Sequence, residues 1–299
     1  MKWLWKMALL GIGALCAGGT MFAADGPVDS LRVLTIGNSF ADSLFRYFPQ
    51  VVESAGCEVV LERLNIGGCP FQRHWANIEK EEADPNFKYF KAYSYREKLQ
   101  SRPWDFVSVQ QVSHESWKPE TYFPEAQLLV DFVKKNAPTA EVVLQQTWAY
   151  RPDDPRLAGW GISQEEMYEK LTNAYTQAAE KMNLRVLPTG LAVQQSRRTQ
   201  PGGYHPFRRT DFTYPDLPKM DGFLCGGIRW SNDHKKLEGD AFHLNARGQY
   251  LQACVWFGFL YGRPTSEITF VPNELTADDA RFLRQTAQKA IDEFRQVRH

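Results

Sequence analysis

Hydrophobic positions along the chain follow two alternating rhythms. Short apolar runs at 31–36, 59–64, 105–109, 142–145 and 184–187 are rich in Val, Leu and Ile and read as buried strands. Between them the spacing shifts to a helical period. Over 41–55, Leu44, Phe45, Phe48, Val51 and Val52 share one face, and over 123–135 Leu128, Leu129, Phe132 and Val133 do the same. Ser163 followed by Glu166 is a capping box that opens a helix running to about Met182. A last apolar helix is expected over 245–261. Strands alternating with helices imply parallel pairing, an α/β fold of three layers (α/β/α sandwich) and a sheet of about five strands. In such sheets ligands sit beyond the carboxyl ends of the strands, so residues just after each strand are the ones to inspect.

Two stretches break the rhythm. Residues 76–103 are charged and aromatic (Glu79, Glu82, Tyr89, Phe90, Tyr93, Tyr95) and read as a helical insertion. Residues 198–238 are dense in Gly, Pro, Arg and aromatic residues, with little periodicity. A loop that long in a compact domain is usually functional. It runs directly into Asp240, which places it as a wall of the site.

The amino terminus is set apart from the fold. Lys2 and Lys6 precede an apolar run from Met7 to about Phe22, and Ala23 and Ala24 precede Asp25. That order matches a secretory signal peptide over 1–24, cleaved near Ala24. The run is shorter than the ~20 apolar residues a spanning helix needs, so no stable membrane insertion is expected after cleavage. Lipoprotein anchoring at Cys16 competes, but Leu15 is a poor residue just before a lipidated cysteine. The remaining 25–299, about 275 residues, read as one exported α/β domain, periplasmic or extracellular.

Composition narrows the partners. Thirty-five basic residues balance 35 acidic ones, so there is no global field to hold nucleic acid. Nine Trp, 12 Tyr and 19 Phe suit a core with some rings left for stacking on sugars. Cys57, Cys69, Cys225 and Cys254 allow two disulfides or four free thiols. None of them forms a C-x-x-C pair, so no metal site is expected.

Three short motifs carry chemistry. The first strand ends in Ile36-Gly37-Asn38-Ser39-Phe40, which puts Ser39 at a strand-to-helix turn. An N-cap role for Ser39 competes with a nucleophilic one. Glu238-Gly239-Asp240-Ala241-Phe242-His243-Leu244-Asn245 precedes the last apolar helix. A serine hydroxyl needs a base, and the base needs a carboxylate to orient it. Asp240 and His243, three residues apart, supply both from one turn, although Asp240 as a helix cap is the plain alternative. After the second strand, Asn65-Ile66-Gly67-Gly68-Cys69 offers glycine N–H groups for an oxyanion, or simply a tight turn.

Together these motifs resemble the SGNH/GDSL hydrolases over about residues 31–262. Gly37-Asn38-Ser39 resembles the nucleophile block, with Asn38 where many members carry Asp. Gly67 or Gly68 resembles the block whose N–H joins that of Ser39 in the oxyanion hole, and Asp240-x-x-His243 resembles the block that supplies acid and base. The flanking residues, Ile66-Gly67-Gly68-Cys69 with His74, Gln110-Gln111, Gln145-Gln146-Thr147-Trp148-Ala149-Tyr150 and His243-Leu244-Asn245 with Gly248, resemble a secreted bacterial branch associated with polysaccharide degradation. The resemblance implies a flavodoxin-like sheet, a serine esterase mechanism without cofactor, and esters or acylated sugars as substrates.

One departure stands out. The family's third block normally supplies an Asn as second oxyanion donor. Here the third strand runs into Gln110, Gln111, Val112, Ser113 and His114, and Gln111 is taken as the replacement donor. Gln110 and His114 are candidates for the substrate site, as is His74 opposite His243. Trp148 and Tyr150 after the fourth strand are candidate stacking residues, with core packing as rival. In the long loop Tyr204, His205, Arg208 and Arg209 are candidates for sugar hydroxyls or a uronate. The expected activity is removal of small acyl groups, acetyl above all, from carbohydrate. Its rivals are a lipase or thioesterase, an acyl transferase, and a catalytically silent carbohydrate-binding protein.

Overall fold

The computed structural model describes residues 29–296. The segment read as an export signal, with Cys16 and Ala24, lies outside the described residues. The strands are β1 (Ser30–Ile36), β2 (Glu58–Arg63), β3 (Phe106–Val109), β4 (Glu141–Gln145) and β5 (Arg185–Leu187). They form one sheet in the order β2-β1-β3-β4-β5, and every pairing is parallel. Register runs from Leu34 opposite Val107 to Leu144 opposite Val186. β1, β3 and β4 are almost wholly buried, which is why they read as continuous apolar runs.

The helices are α1 (Ser39–Asp42), α2 (Phe48–Ser54), α3 (Phe71–Ala83), α4 (Tyr95–Gln100), α5 (Glu125–Asn136), α6 (Pro155–Trp160), α7 (Gln164–Met182), α8 (Thr189–Thr199), α9 (Ala246–Leu260) and α10 (Ala277–Gln296). Helices α2, α8, α9 and α10 pack together on one face, and α3, α4 and α5 on the other. The chain leaves β1 in one direction for β2 and returns across it to β3. With right-handed crossovers this reversal puts the two connections on opposite faces and leaves a crevice between the ends of β1 and β3. Ser39 and Gln110 open from those two ends.

Several expectations are revised. The single helix at 41–55 is instead α1, a 3-10 turn at Ser43–Arg46, and α2. Pro49, which has no N–H to donate, sits in the first turn of α2 and forces a fresh start there. The stretch 76–103 is not inserted: it is the body of the β2–β3 crossover, formed by α3 and α4. Leu128 faces outward from α5, whereas Leu129, Phe132 and Val133 are buried. Ser163 and Glu166 form both bonds of the capping box, and α7 ends with Asn183 in the left-handed region. All four described cysteines are buried free thiols.

Helix α9 is apolar all round and nearly every residue of it is buried, as its position between α2, α8 and α10 requires. α10 closes the fold with Ala280, Leu283, Ala287, Ala290 and Ile291 inward. Phe282 and Phe294 pack beside them, so the apolar positions of α10 recur at helical spacing, although the last helix expected from the sequence is α9. The long segment after α8 folds into a 3-10 turn at Arg209–Asp211 and an antiparallel hairpin, β6 (Arg229–Trp230) with β7 (Leu237–Glu238). Among the described residues no helix is long and apolar enough to cross a membrane.

Candidate active site

The N-cap of α1 is Asn38, not Ser39. Its Oδ1 accepts the N–H of Phe40 at 3.2 Å, and the hydroxyl of Ser39 is left free for another partner. That partner is His243 Nε2, at 2.8 Å. His243 Nδ1 lies 2.6 Å from Asp240 Oδ2, while Asp240 Oδ1 accepts the N–H groups of Phe242 (3.0 Å) and His243 (2.9 Å). A carboxylate cannot donate, so Nδ1 carries the ring proton and Nε2 presents its lone pair to Ser39. The alternative reading of Asp240 also fails on geometry. Helix α9 is capped by Asn245, whose Oδ1 accepts from Gly248 N–H at 3.1 Å.

Burial alone would raise the Asp240 carboxyl, but the hydrogen bonds from the His243 ring and from two N–H groups bring it down to about 2. Asp240 is therefore ionised at neutral pH and well below it. His243 and Asp240 are 37% and 39% exposed and Ser39 is half-buried, so the three residues open at the surface.

Aromatic packing fixes the imidazole. Phe242 lies 4.1 Å from the His243 ring centre and Phe40 meets it edge-on at 5.6 Å. Phe40 in turn stacks on Trp148 at 4.1 Å, and Trp148 Nε1 donates to Phe242 O at 2.7 Å. Trp148 is thus a core residue that supports both sides of the site, and its expected role in stacking on substrate is corrected. Tyr150 is likewise fully buried, with its hydroxyl 2.8 Å from Ser113 Oγ.

The Gly67-Gly68 turn is tied to the serine loop at both ends. Ile66 N–H donates to Gly37 O at 3.0 Å, and Asn38 Nδ2 donates to Cys69 O at 3.2 Å. Gly68 takes a left-handed backbone, φ +60, which only glycine adopts without strain. Both glycines are exposed, and the N–H groups of Ser39, Gly67 and Gly68 have no acceptor among the described residues. Burial pushes the neighbouring Cys69 thiol up to about 12, so it stays protonated.

Gln111 is not an oxyanion donor. Its Oε1 accepts from Phe71 N–H and Val112 N–H, and its Nε2 donates to Thr121 O and Thr121 Oγ1. With both ends of its amide engaged, it pins the loop after β3 to the start of α3. Gln110 is the one that turns toward the serine loop. It is buried under Gly37 and donates from Nε2 to Asn38 Oδ1 at 2.7 Å. It holds Asn38 from behind and does not face substrate.

His74 also moves from the cleft to the interior. It is fully buried, donating Nε2–H to Gly37 O at 2.9 Å and accepting from the Tyr95 hydroxyl at 2.7 Å. Tyr204 turns inward against Phe223, its hydroxyl buried. His114 is exposed on the turn after β3, and His205 is exposed and bonded to Gly202 O.

A further group was only partly visible in the sequence: Arg209, expected to meet a sugar hydroxyl or uronate, pairs with Asp153 instead. Asp153 is buried between Arg151 and Arg209, whose side chains both pair with it. Arg151 N–H donates to Ala241 O, its Nη1 donates to Cys225 O, and Arg209 Nη2 reaches Gly239 O at 3.3 Å. The cluster therefore grips the backbone on both sides of Asp240. Arg151-x-Asp153 after the fourth strand was its only local signal; Arg209 is 56 residues away. Gly226 completes the buttress, with its N–H on His243 O at 2.8 Å.

Residues 32–215 match the family described as domain of unknown function (DUF4886). A DUF4886 protein of solved structure from Bacteroides uniformis is 24% identical, with a TM-score of 0.69 over 88% of this chain and 95% of that one. That likeness shows the fold. An acetylxylan esterase from Geobacillus stearothermophilus aligns at 14% identity and TM-score 0.43 over 81% of this chain and 95% of that one. A phospholipase A1 from Streptomyces albidoflavus aligns at 11% identity and TM-score 0.41, covering 73% and 94%. No curated protein matches the sequence.

Proposed function

The chain belongs to the DUF4886 family and has an SGNH-like α/β/α fold, and from that footing we propose that it is an exported serine esterase that removes small acyl groups, acetyl foremost, from carbohydrate. One observation carries the reading. Ser39 Oγ, His243 and Asp240 stand in a hydrogen-bonded line, with the N–H groups of Ser39, Gly67 and Gly68 unclaimed beside it.

The chemistry follows from that line. His243 Nε2 takes the Ser39 proton as Oγ attacks the ester carbonyl. The carbonyl oxygen, now negative, is held by the N–H of Ser39 and of Gly67 or Gly68. Collapse breaks the bond to the sugar oxygen, which leaves with the proton from His243. Water then gives a proton to His243 as it attacks the acyl carbon, and on collapse His243 returns that proton to Ser39 Oγ, releasing the acid and restoring the free serine. Asp240 keeps its charge throughout and stabilises the imidazolium.

A triad open at the surface suits a bulky alcohol half such as a sugar chain, and it accommodates a small acyl half without a long tunnel. The charged and apolar order of residues 1–24 supports export.

The test is direct. Wild type and Ser39→Ala are incubated with p-nitrophenyl acetate and with acetylated plant polysaccharides, and acetate is measured. Release by wild type alone is expected. Equal release from both proteins would remove Ser39 from its role, and release from neither would point to a silent binding protein on this fold.

A further inference from the structure

Among the described residues few large hydrophobic side chains stand out in solvent, and the two most exposed, Tyr214 and Leu217 at 50% each, lie three residues apart in the long loop before Asp240. Tyr214 is held rigidly. Its ring stacks on His234 at 3.9 Å with 15° between planes, and meets Trp230 edge-on at 5.9 Å. Trp230 is anchored by Nε1 donating to Asp216 O at 3.0 Å and by its pairing with Leu237 in the hairpin. His234 takes a left-handed backbone, φ +57, in the turn that presents it.

The same hairpin leads to the triad. β7 ends at Glu238, and Gly239 and Asp240 follow. A groove of about 570 Å³ lies there, lined by Gly227, Ile228, Arg229, Glu238, Gly239 and Asp240. Tyr214 packs on Trp230, and the neighbouring residue of β6, Arg229, lines this groove together with Asp240, so the exposed ring lies one strand residue away from the groove wall.

We propose that this groove and the ring beside it form a subsite for a polysaccharide chain, with Tyr214 as the stacking platform for a pyranose ring of the chain whose acyl group is cut at Ser39. The inference rests on the esterase reading for its catalytic half only. The chemistry around the ring selects the ligand. Tyr214 and Leu217 are exposed apolar side chains, and Trp230 and His234, which hold the Tyr214 ring, belong to a hairpin that also carries the charged hydrogen-bonding groups of Arg229, Asp233, Lys235, Lys236 and Glu238. A lipid or a protein partner needs a wider apolar area; a sugar ring has an apolar face of this size and hydroxyls at its rim.

The test separates binding from catalysis. Ser39→Ala is run by affinity electrophoresis through gels holding acetylated glucuronoxylan, acetylated pectin or acetylated galactoglucomannan. Retardation by at least one polymer is expected, lost on adding Tyr214→Ala and kept with Tyr214→Trp. In the active protein, Tyr214→Ala lowers kcat/KM on that polymer on the order of tenfold. It leaves p-nitrophenyl acetate, which has no sugar to stack on Tyr214, turned over at the wild-type rate. No retardation by any of the three, retardation indifferent to Tyr214→Ala, or an equal loss on both substrates overturns the subsite. Tyr214-dependent retardation without hydrolysis of any ester keeps the subsite and removes the esterase reading.

Discussion

His74 donates Nε2–H to the carbonyl oxygen of Gly37, two residues ahead of Ser39, at 2.9 Å. The same carbonyl accepts from Ile66 N–H at 3.0 Å, so one oxygen joins β1, the Gly67-Gly68 turn and α3. Complete burial brings the His74 imidazole down to about 4, against the Gly37 hydrogen bond, which favours the charged ring.

That value predicts how stability depends on pH. From the ordinary 6.5 downward the unfolded chain takes up a proton that the folded ring refuses until about 4. Stability therefore falls as pH drops through that window, by about 3 kcal/mol from this group. Urea melts between pH 7 and pH 4 should show the loss, and His74→Gln should flatten it while lowering stability at pH 7. A slope unchanged in the variant would contradict the assignment.

Asp240→Asn should keep the fold and lose turnover by about 10³–10⁴-fold, because an amide no longer holds His243 with its proton on Nδ1. Since the Asp240 carboxyl lies at about 2, it stays ionised well below neutral pH. An acid limb in the wild-type rate profile is thus not expected to come from Asp240. The Asp240→Asn variant, whose amide has no carboxyl to titrate, should keep the shape of that limb at its lower rate; a limb that disappears in the variant would assign it to Asp240.

The two glutamines after β3 should separate cleanly. Gln111→Leu strands the N–H groups of Phe71 and Val112, and a buried unpaired group costs about 1–3 kcal/mol. Its melting midpoint should drop while kcat on p-nitrophenyl acetate stays near wild type. Gln110→Leu releases Asn38 Oδ1 from its 2.7 Å bond, and its kcat should fall by about tenfold or more. The reverse pattern would restore Gln111 as the oxyanion donor.

Gly226 probes the buttress. A Cβ there would lie 1.5 Å from Asp240 O, and the residue has φ +54. Gly226→Ala must displace the Asp240 turn, with kcat down by about a hundredfold. Gly159→Ala, where a Cβ meets nothing within 4 Å, is the control and should behave as wild type.

Much of the frame was legible because buried parallel strands leave continuous apolar runs and helices leave a 3.6-residue period. The five strands, α5, α7 with its capping box, and α9 were all readable at that level. Helix α10 carries the same period through Leu283, Ala287 and Ile291, yet the last helix expected was α9. Pro49 was visible in the sequence, yet the apolar stripe across it suggested one helix where the chain makes two.

At the site, local spacing determined what local geometry can determine. Asp240 and His243 lie in one turn and bond within it. Ser39 and His243 sit 204 residues apart, and only the packing of α9 against α2 and the Ser43–Arg46 turn, which follow Ser39, closes the 2.8 Å between them. The same holds for side chains whose roles depend on direction. Gln110 and Gln111 are adjacent and alike in sequence, but successive side chains leave an extended backbone on opposite sides. One reaches Asn38 and the other Thr121. His74, Trp148 and Tyr150 are likewise polar-tipped residues whose partners, Gly37 O, Phe242 O and Ser113 Oγ, come from distant segments. The sequence by itself determined the residue types, the order of the motifs and the two halves of the Asp240–His243 turn. Tertiary structure alone decided which of the candidates face the reacting carbonyl and which hold the frame behind it, because burial and hydrogen-bond pairing are properties of segments brought together.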